Sequence, residues 1–176
     1  MSGWRLQPLS LSMSKPDRPV HSRGKNCQTT RTFFVSSATW ARRSLFQSER
    51  MARLFLEVLS AYRAQGRYLL HEFVLMREHF HVLISVPPKL SVERAVQLMK
   101  GGFSYRAQKE LGVHGEIWQR GFSDEYVIDA AGYRARCEYI RQNPVRAGFA
   151  RVPEEYPYGS TGSGVETDPM PEHLRG

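Results

Sequence analysis

The run His79-Phe80-His81-Val82-Leu83-Ile84-Ser85-Val86 decides how this chain is read. Side chains on a strand alternate between faces, so Phe80, Val82, Ile84 and Val86 project together toward a core. His79 and His81 then project together on the opposite face. A strand this apolar belongs in the middle of a sheet, and Pro87-Pro88 closes it because proline removes a ladder donor. Two imidazoles on one face of a central strand are the start of a divalent metal site. They do not complete one. An arbitrary His-x-His is more often a pair of surface side chains on a half-exposed sheet.

Moving outward, Tyr68 to Met76 is a second apolar run, which a tight Arg77-Glu78 turn pairs with the first. Upstream, Thr32-Phe33-Phe34-Val35-Ser36-Ser37 is suited to a strand. A helix is predicted from about Gln47 to Gln65, with Met51, Leu54, Phe55, Val58, Leu59 and Tyr62 at helical spacing and Gly66 as its stop. Downstream, Ser91 opens a second helix with Val92, Ala95, Val96 and Met99 as its buried stripe. Gly101-Gly102 is expected to interrupt it before Phe103 to Leu111 resumes. A short strand is expected across Glu116 to Gln119, and Tyr126-Val127-Ile128 as another extended piece. A last helix runs from Asp129 as N-cap to Gln142, and Pro144 is expected to end it at Asn143. This order of elements predicts a small α+β fold, an antiparallel sheet with helices packed on it. Residues 1–30 read as a disordered basic arm, 31–158 as one domain, and 159–176 as a loose tail.

The 176 residues hold 25 Lys+Arg against 17 Asp+Glu, a formal charge of +8. Such a domain attracts polyanions, of which nucleic acid is the commonest. Cys27 and Cys137 lie far apart with no Cys-x-x-Cys spacing, which excludes a disulfide framework or zinc knuckle and points to the reducing cytoplasm. Residues 5–13 are too polar for a signal peptide. No stretch reaches the roughly 18 to 20 apolar residues of a membrane span, so no membrane partner is expected.

A second constellation lies on the last helix, Tyr139-Ile140-Arg141-Gln142-Asn143-Pro144. Residues i and i+4 share a helical face, so the Tyr139 phenol and the Asn143 amide can address one spot. A tyrosine hydroxyl can attack a phosphodiester and hold the product covalently, provided that a metal or base helps it. A carboxamide oxygen is a suitable third ligand for Mg²⁺ or Mn²⁺. The competing reading packs Tyr139 in the core and leaves Asn143 as a helix stop.

These stretches occur in order with Ile117-Trp118-Gln119-Arg120-Gly121-Phe122-Ser123-Asp124 between them, and Val145-x-x-Gly148 follows Pro144. Together they resemble the REP-associated tyrosine transposases, a branch of the single-tyrosine HUH transposases. The resemblance spans roughly Thr32 to Tyr158. It implies a ferredoxin-like or RRM-like fold, often dimeric. It also implies a Mg²⁺ or Mn²⁺ ion held by His79, His81 and Asn143, with Tyr139 as nucleophile. The implied chemistry is cleavage of single-stranded DNA, folded as hairpins, through a 5′-phosphotyrosine bond. Relatives often carry Pro followed by Asn or Asp where this chain has Arg77-Glu78, a change expected to alter the turn and not the ligands.

Basic residues near this constellation are candidates for phosphate contact. Lys100 and Arg106 lie on the second helix, Arg120 follows Trp118-Gln119, and Arg141 sits beside the tyrosine. Trp118 is the candidate for stacking on an unpaired base. The expected setting is the cytoplasm, in association with the nucleoid. The alternatives are a replication-type nickase with the same metal and tyrosine, although such enzymes usually carry longer chains with helicase or primase parts, and a non-catalytic nucleic-acid-binding module on the same small sheet. The second of these has no need for His79, His81, Tyr139 and Asn143 to meet.

Overall fold

The computed structural model describes residues 28–175, so the expected basic arm lies almost wholly outside the described residues. Its central strands are β1 (Arg31–Ala38) and β3 (His79–Val86), antiparallel from Arg31 opposite Val86 to Ala38 opposite His79. On the outer sides, β2 (Leu69–Leu75) pairs with β3 and β4 (Ser123–Val127) pairs with β1, both antiparallel. The sheet order is β2-β3-β1-β4. With α1 (Glu49–Ala64) between β1 and β2, and α2 (Val92–Leu111) between β3 and β4, this is the ferredoxin-like arrangement.

The alternation along β3 sorts the molecule into layers. Phe80, Val82, Ile84 and Val86 join α1 and α2 in the larger core, with Leu59, Phe55, Met99 and Phe103. Leu83 faces the other way, into a smaller cluster with Tyr133, Cys137 and Ile140 of α3 (Ala130–Arg146). α1 and α2 therefore cover one face of the sheet, and α3 lies on the face that carries the histidines.

β2 adds an irregularity of its own. Its register with β3 shifts between Leu70 and Glu72, so Leu70 and Phe73 both enter the larger core despite their odd spacing. A bulge absorbs the extra residue and re-aims the side chains at it. Both His71 and Glu72 thereby turn toward the α3 face, where His71 meets Ser85 Oγ at 2.7 Å and Glu72 meets Arg141.

Four local expectations change. The second helix is continuous through Gly101-Gly102. A Cβ at Gly102 would stand 2.8 Å from the Tyr62 ring and 3.2 Å from Val58, so glycine here permits close approach of α1 and α2. That packing offsets the roughly 1 kcal/mol helix cost of a glycine. The last helix does not end at Asn143 but continues past the buried Pro144 to Arg146, which keeps Asn143 on the same helical face as Tyr139. Glu116 to Gln119 is not a strand: Ile117 is buried in the larger core, Trp118 packs on it, and only a Thr39–Trp118 bridge remains. The fourth strand is Ser123–Val127, whose polar sequence suits a sheet edge.

Residues 159–175, read as a loose tail, pack along the β2 edge. Gly159 bridges to Val74, Ser160 N–H donates to the Phe73 carbonyl at 3.0 Å, and Leu174 is buried. The Asp168 carboxylate accepts from two Arg63 nitrogens at 2.9 and 2.8 Å and from the Leu70 amide at 2.8 Å. Arg63 and Asp168 are 17% and 16% exposed, which makes this a partly shielded, bidentate pair.

Burial alone would raise the Asp168 carboxyl, but the Arg63 and Leu70 hydrogen bonds and the Arg63 charge outweigh it and leave it below its ordinary value. A carboxyl depressed on folding adds stability above its unfolded pKa of about 3.9 and loses it as pH falls further. Asp168→Asn is therefore expected to destabilise the protein by about 1–3 kcal/mol at pH 7. In urea unfolding, the gap from wild type should narrow steadily below about pH 4.

Candidate active site

Register sets the geometry of the histidine pair. His79 and His81 lie opposite Ala38 and Ser36 of β1, with their ring centroids 4.9 Å apart. His81 is 8% exposed, and its Nδ1 is hydrogen-bonded with the Ser36 hydroxyl. With Nδ1–H donating to that oxygen, Nε2 keeps its lone pair, the arrangement that orients a histidine as a metal ligand. The Phe34 ring stacks on His81 at 5.4 Å and 20°.

Burial pushes the His81 imidazole down to about 3, with His79 adding to the effect. His79 is also lowered, by burial and by the Arg42 charge, against the opposing pull of Glu78 and of a hydrogen bond with Asn143. Both rings are therefore neutral at physiological pH, the form that ligates metals. Among the described residues, His79 Nδ1 is buried without a hydrogen-bond partner. Such an orphaned ring nitrogen costs about 1–3 kcal/mol unless something else engages it.

Tyr139 reaches the same place from α3. Its ring meets His81 edge-on at 5.4 Å and 73°, meets Phe34 at 5.7 Å, and lies under the Arg146 guanidinium at 5.7 Å. Tyr139 is half-buried, as is Asn143 one turn on. All four residues therefore converge within one chain, and Tyr139 stands beside the histidines of its own fold.

What holds α3 at this height is an ion pair between an exposed arginine and a buried glutamate. Arg141, two residues from Tyr139, reaches Glu72 on β2 at 2.6 and 2.9 Å. Glu72 is 2% exposed, and Ser160 donates to its other oxygen. Burial raises the Glu72 carboxyl, and Arg141 opposes that shift. Arg141, expected at the DNA surface, thus ties the tyrosine helix to the sheet.

The other candidates for DNA contact divide. Arg106 pairs with Glu57 of α1 and Glu110 of α2, in the layer away from the histidines. Lys100 donates to the Gln119 and Gly121 carbonyls at 3.0 and 2.8 Å, and burial pushes its ammonium down to about 8. Trp118 packs among Phe46, Phe55, Phe80 and Phe103 with centroids 5.5 to 5.7 Å away, and its Nε1–H donates to the Lys100 carbonyl. These contacts pack the half-buried Trp118 ring against the core. Gln119 is exposed, with its backbone N–H donating to the Ala38 carbonyl at 3.0 Å, and Arg120 is exposed beside it.

A profile of the family described as "Transposase IS200 like" matches residues 32–143, the span from the start of β1 through Asn143. The chain belongs to the IS200-like transposase family. Its members are DNA-cleaving enzymes. A Haemophilus influenzae protein named for the REP-associated tyrosine transposases is 26% identical over 133 residues, covering 68% of this chain and 76% of that one. The solved structure of a REP-associated tyrosine transposase bound to a REP hairpin has the same fold. Its TM-score is 0.63 at 21% identity, covering 86% of this chain and 92% of that one. Among the described residues of this IS200-like chain, no helix is long and apolar enough to cross a membrane.

Sequence reasoning missed Ser36, Phe34 and Glu72. Strand alternation places Ser36 and Phe34 on one face of β1, but only the β1–β3 register brings them to His81. Glu72 was hidden by the bulge, which breaks the alternation that would have located it. Removing the arginine from the Glu72–Arg141 pair leaves a buried carboxylate uncompensated, so Arg141→Ala is expected to cost about 2 kcal/mol in denaturant unfolding. A surface arginine serving phosphate alone would leave the unfolding midpoint where it was.

Proposed function

We propose that this chain is a strand transferase that cuts and rejoins single-stranded DNA folded as a hairpin, with Tyr139 as the nucleophile. The observation that carries this reading is the convergence of Tyr139 on the histidine pair, its ring centroid 5.4 Å from that of His81, with Asn143 one turn further along the same helix. A core tyrosine with a helix-stopping asparagine does not require that meeting.

The donor set suits a divalent cation such as Mg²⁺ or Mn²⁺: two neutral imidazoles and a carboxamide oxygen, with His79 Nδ1 buried and unpartnered. His79, His81 and Asn143 would hold the ion. When bound, it would supply positive charge to the phosphate oxygens. The protein's own part is positional. The Phe34 and His81 rings fix the direction of the phenol, and Ser36 fixes the His81 ring.

In the reaction, Tyr139 Oη loses its proton to solvent and bonds to phosphorus. The bond from phosphorus to the 3′ oxygen breaks, and that oxygen leaves as a 3′-OH. The phosphate stays on the 5′ side of the cut, now esterified to Tyr139. Attack by a 3′-OH reverses the step and releases the phenol, so the bond energy is conserved and no nucleotide cofactor is consumed. The named relative and the hairpin-bound neighbour support a REP-like hairpin as the substrate class. The dimer implied by resemblance is not needed to assemble these four groups, since one chain carries them all.

The test is a covalent adduct with labelled single-stranded hairpin DNA and Mn²⁺, read on a denaturing gel. Wild type is expected to form it, and Tyr139→Phe and His81→Ala to lose it; an undiminished adduct in Tyr139→Phe would remove Tyr139 as the nucleophile. Ser36→Ala is expected to keep the fold but raise the Mn²⁺ concentration for half-maximal adduct by about 10- to 100-fold. An unchanged Mn²⁺ titration would show that Ser36 does not orient the ligand.

A further inference from the structure

The expected base-stacking residue, Trp118, is half-buried against the core, and it bridges directly to a segment that carries another, more exposed tryptophan. Thr39 pairs with Trp118, and the Trp40 amide donates to the Ile117 carbonyl at 2.9 Å. The segment Trp40-Ala41-Arg42-Arg43 leaves β1 at the end where Ala38 faces His79. Trp40 is 42% exposed, an unusual setting for the largest apolar side chain.

The backbone here is strained and tightly held. Ala41 and Arg42 have φ of 51° and 49°, the left-handed region that non-glycine residues avoid. Two such residues in succession persist only where their surroundings over-determine them, and such places cluster at functional sites. The surroundings here are explicit. The Thr39 amide donates to the Glu78 carbonyl at 2.8 Å, and the Thr39 hydroxyl bonds to the Arg43 and Glu78 carbonyls. Arg42 pairs with Glu78 at 2.8 Å, and Arg43 donates to the Glu116 carbonyl. Glu78 is the residue immediately before His79. The loop is thus fixed to the strand that bears the histidines while its indole ring stays open to solvent.

We infer that Trp40 is a stacking platform for an unpaired base next to the scissile phosphate. The inference rests on the strand-transfer reading for its substrate, single-stranded DNA. A flat ring on a rigid loop binds a base face at little ordering cost, and every base offers a π-face. A duplex stem keeps its bases stacked on each other, so the occupant is an unpaired flanking nucleotide and not the hairpin stem.

The experiment compares two fluorescently labelled hairpins, one blunt and one with a short unpaired extension, by anisotropy with the full chain. Trp40→Ala is expected to bind the extended hairpin about tenfold more weakly and the blunt one as wild type does. Trp40→Phe should recover most of the loss. Because Trp40 is exposed, unchanged melting of both variants is expected. Unchanged affinity for the extended hairpin in Trp40→Ala would overturn the platform, as would an equal loss on both hairpins. The adduct assay separates the two claims. Wild-type adduct with undiminished Trp40→Ala binding refutes the platform alone, whereas a selective Trp40→Ala binding loss without any wild-type adduct refutes the strand-transfer reading and keeps the platform.

Discussion

The pairing of β1 with β3 sets everything else. Its register, Ser36 opposite His81 and Ala38 opposite His79, decides which polar side chains meet the imidazoles. Its position in the middle of the sheet lets β3 bury both faces, one under α1 and α2 and the other under α3. Burial on the α3 side holds both histidines neutral, because a low-dielectric setting penalises the imidazolium. A one-residue slip would exchange the faces, sending Phe80 and Val82 under α3 and the histidines into the larger core. The apolar stripe of β3 thus specifies both the fold and the site through one constraint.

The second requirement is to hold a helix at a fixed height over that strand. α3 has a weak apolar stripe, with Tyr133, Cys137, Ile140 and Pro144 as its buried residues. Hydrophobic packing on so narrow a face does not strongly fix its position along its axis. Directional contacts do: Asp129 caps its first turn through the Gly132 amide, and Arg141 grips Glu72 near its end. The buried Glu72 carboxylate is satisfied by Arg141 only in one alignment of α3 along the sheet, which is a constraint on position more than on stability. Tyr139 lies between those two anchors.

The layers were readable in the sequence because periodicity is a local property. The β3 alternation, the stripe of α1 and the Asp129 cap all follow from neighbours within a few positions, and each appears where that pattern puts it. What escaped depended on distant contacts. Gly101-Gly102 looks like a break until Tyr62 and Val58 are known to press on Gly102. Pro144 looks like a stop until its burial is known, and the extended piece expected at Tyr126-Val127-Ile128 is seen to begin at Ser123 only once β1 supplies its ladder. At the candidate site, spacing alone puts His79 with His81 on one strand face and Tyr139 with Asn143 on one helix face. The contacts that orient them, Ser36 and the Glu72–Arg141 pair, were not legible there, because a register and a bulge create them.

Charge shows the same division. The excess of basic residues argues for a polyanionic partner, but several of the arginines nearest the sequence motifs are already paired with glutamates of the protein itself. Arg141 is tied to Glu72, Arg106 to Glu57 and Glu110, and Arg136 to Glu125. Such pairs cancel locally, yet the net +8 remains and still draws nucleic acid from a distance. Long-range attraction is insensitive to which cation supplies it, whereas selection of a strand at the site needs groups with fixed directions. In this fold those groups are few and rigidly mounted: rings on β1 and α3, imidazoles on β3, and an indole on a strained loop joined to the same strand. On the proposed reading, attraction is a property of the whole surface, and discrimination belongs to the end of the sheet where His79 lies.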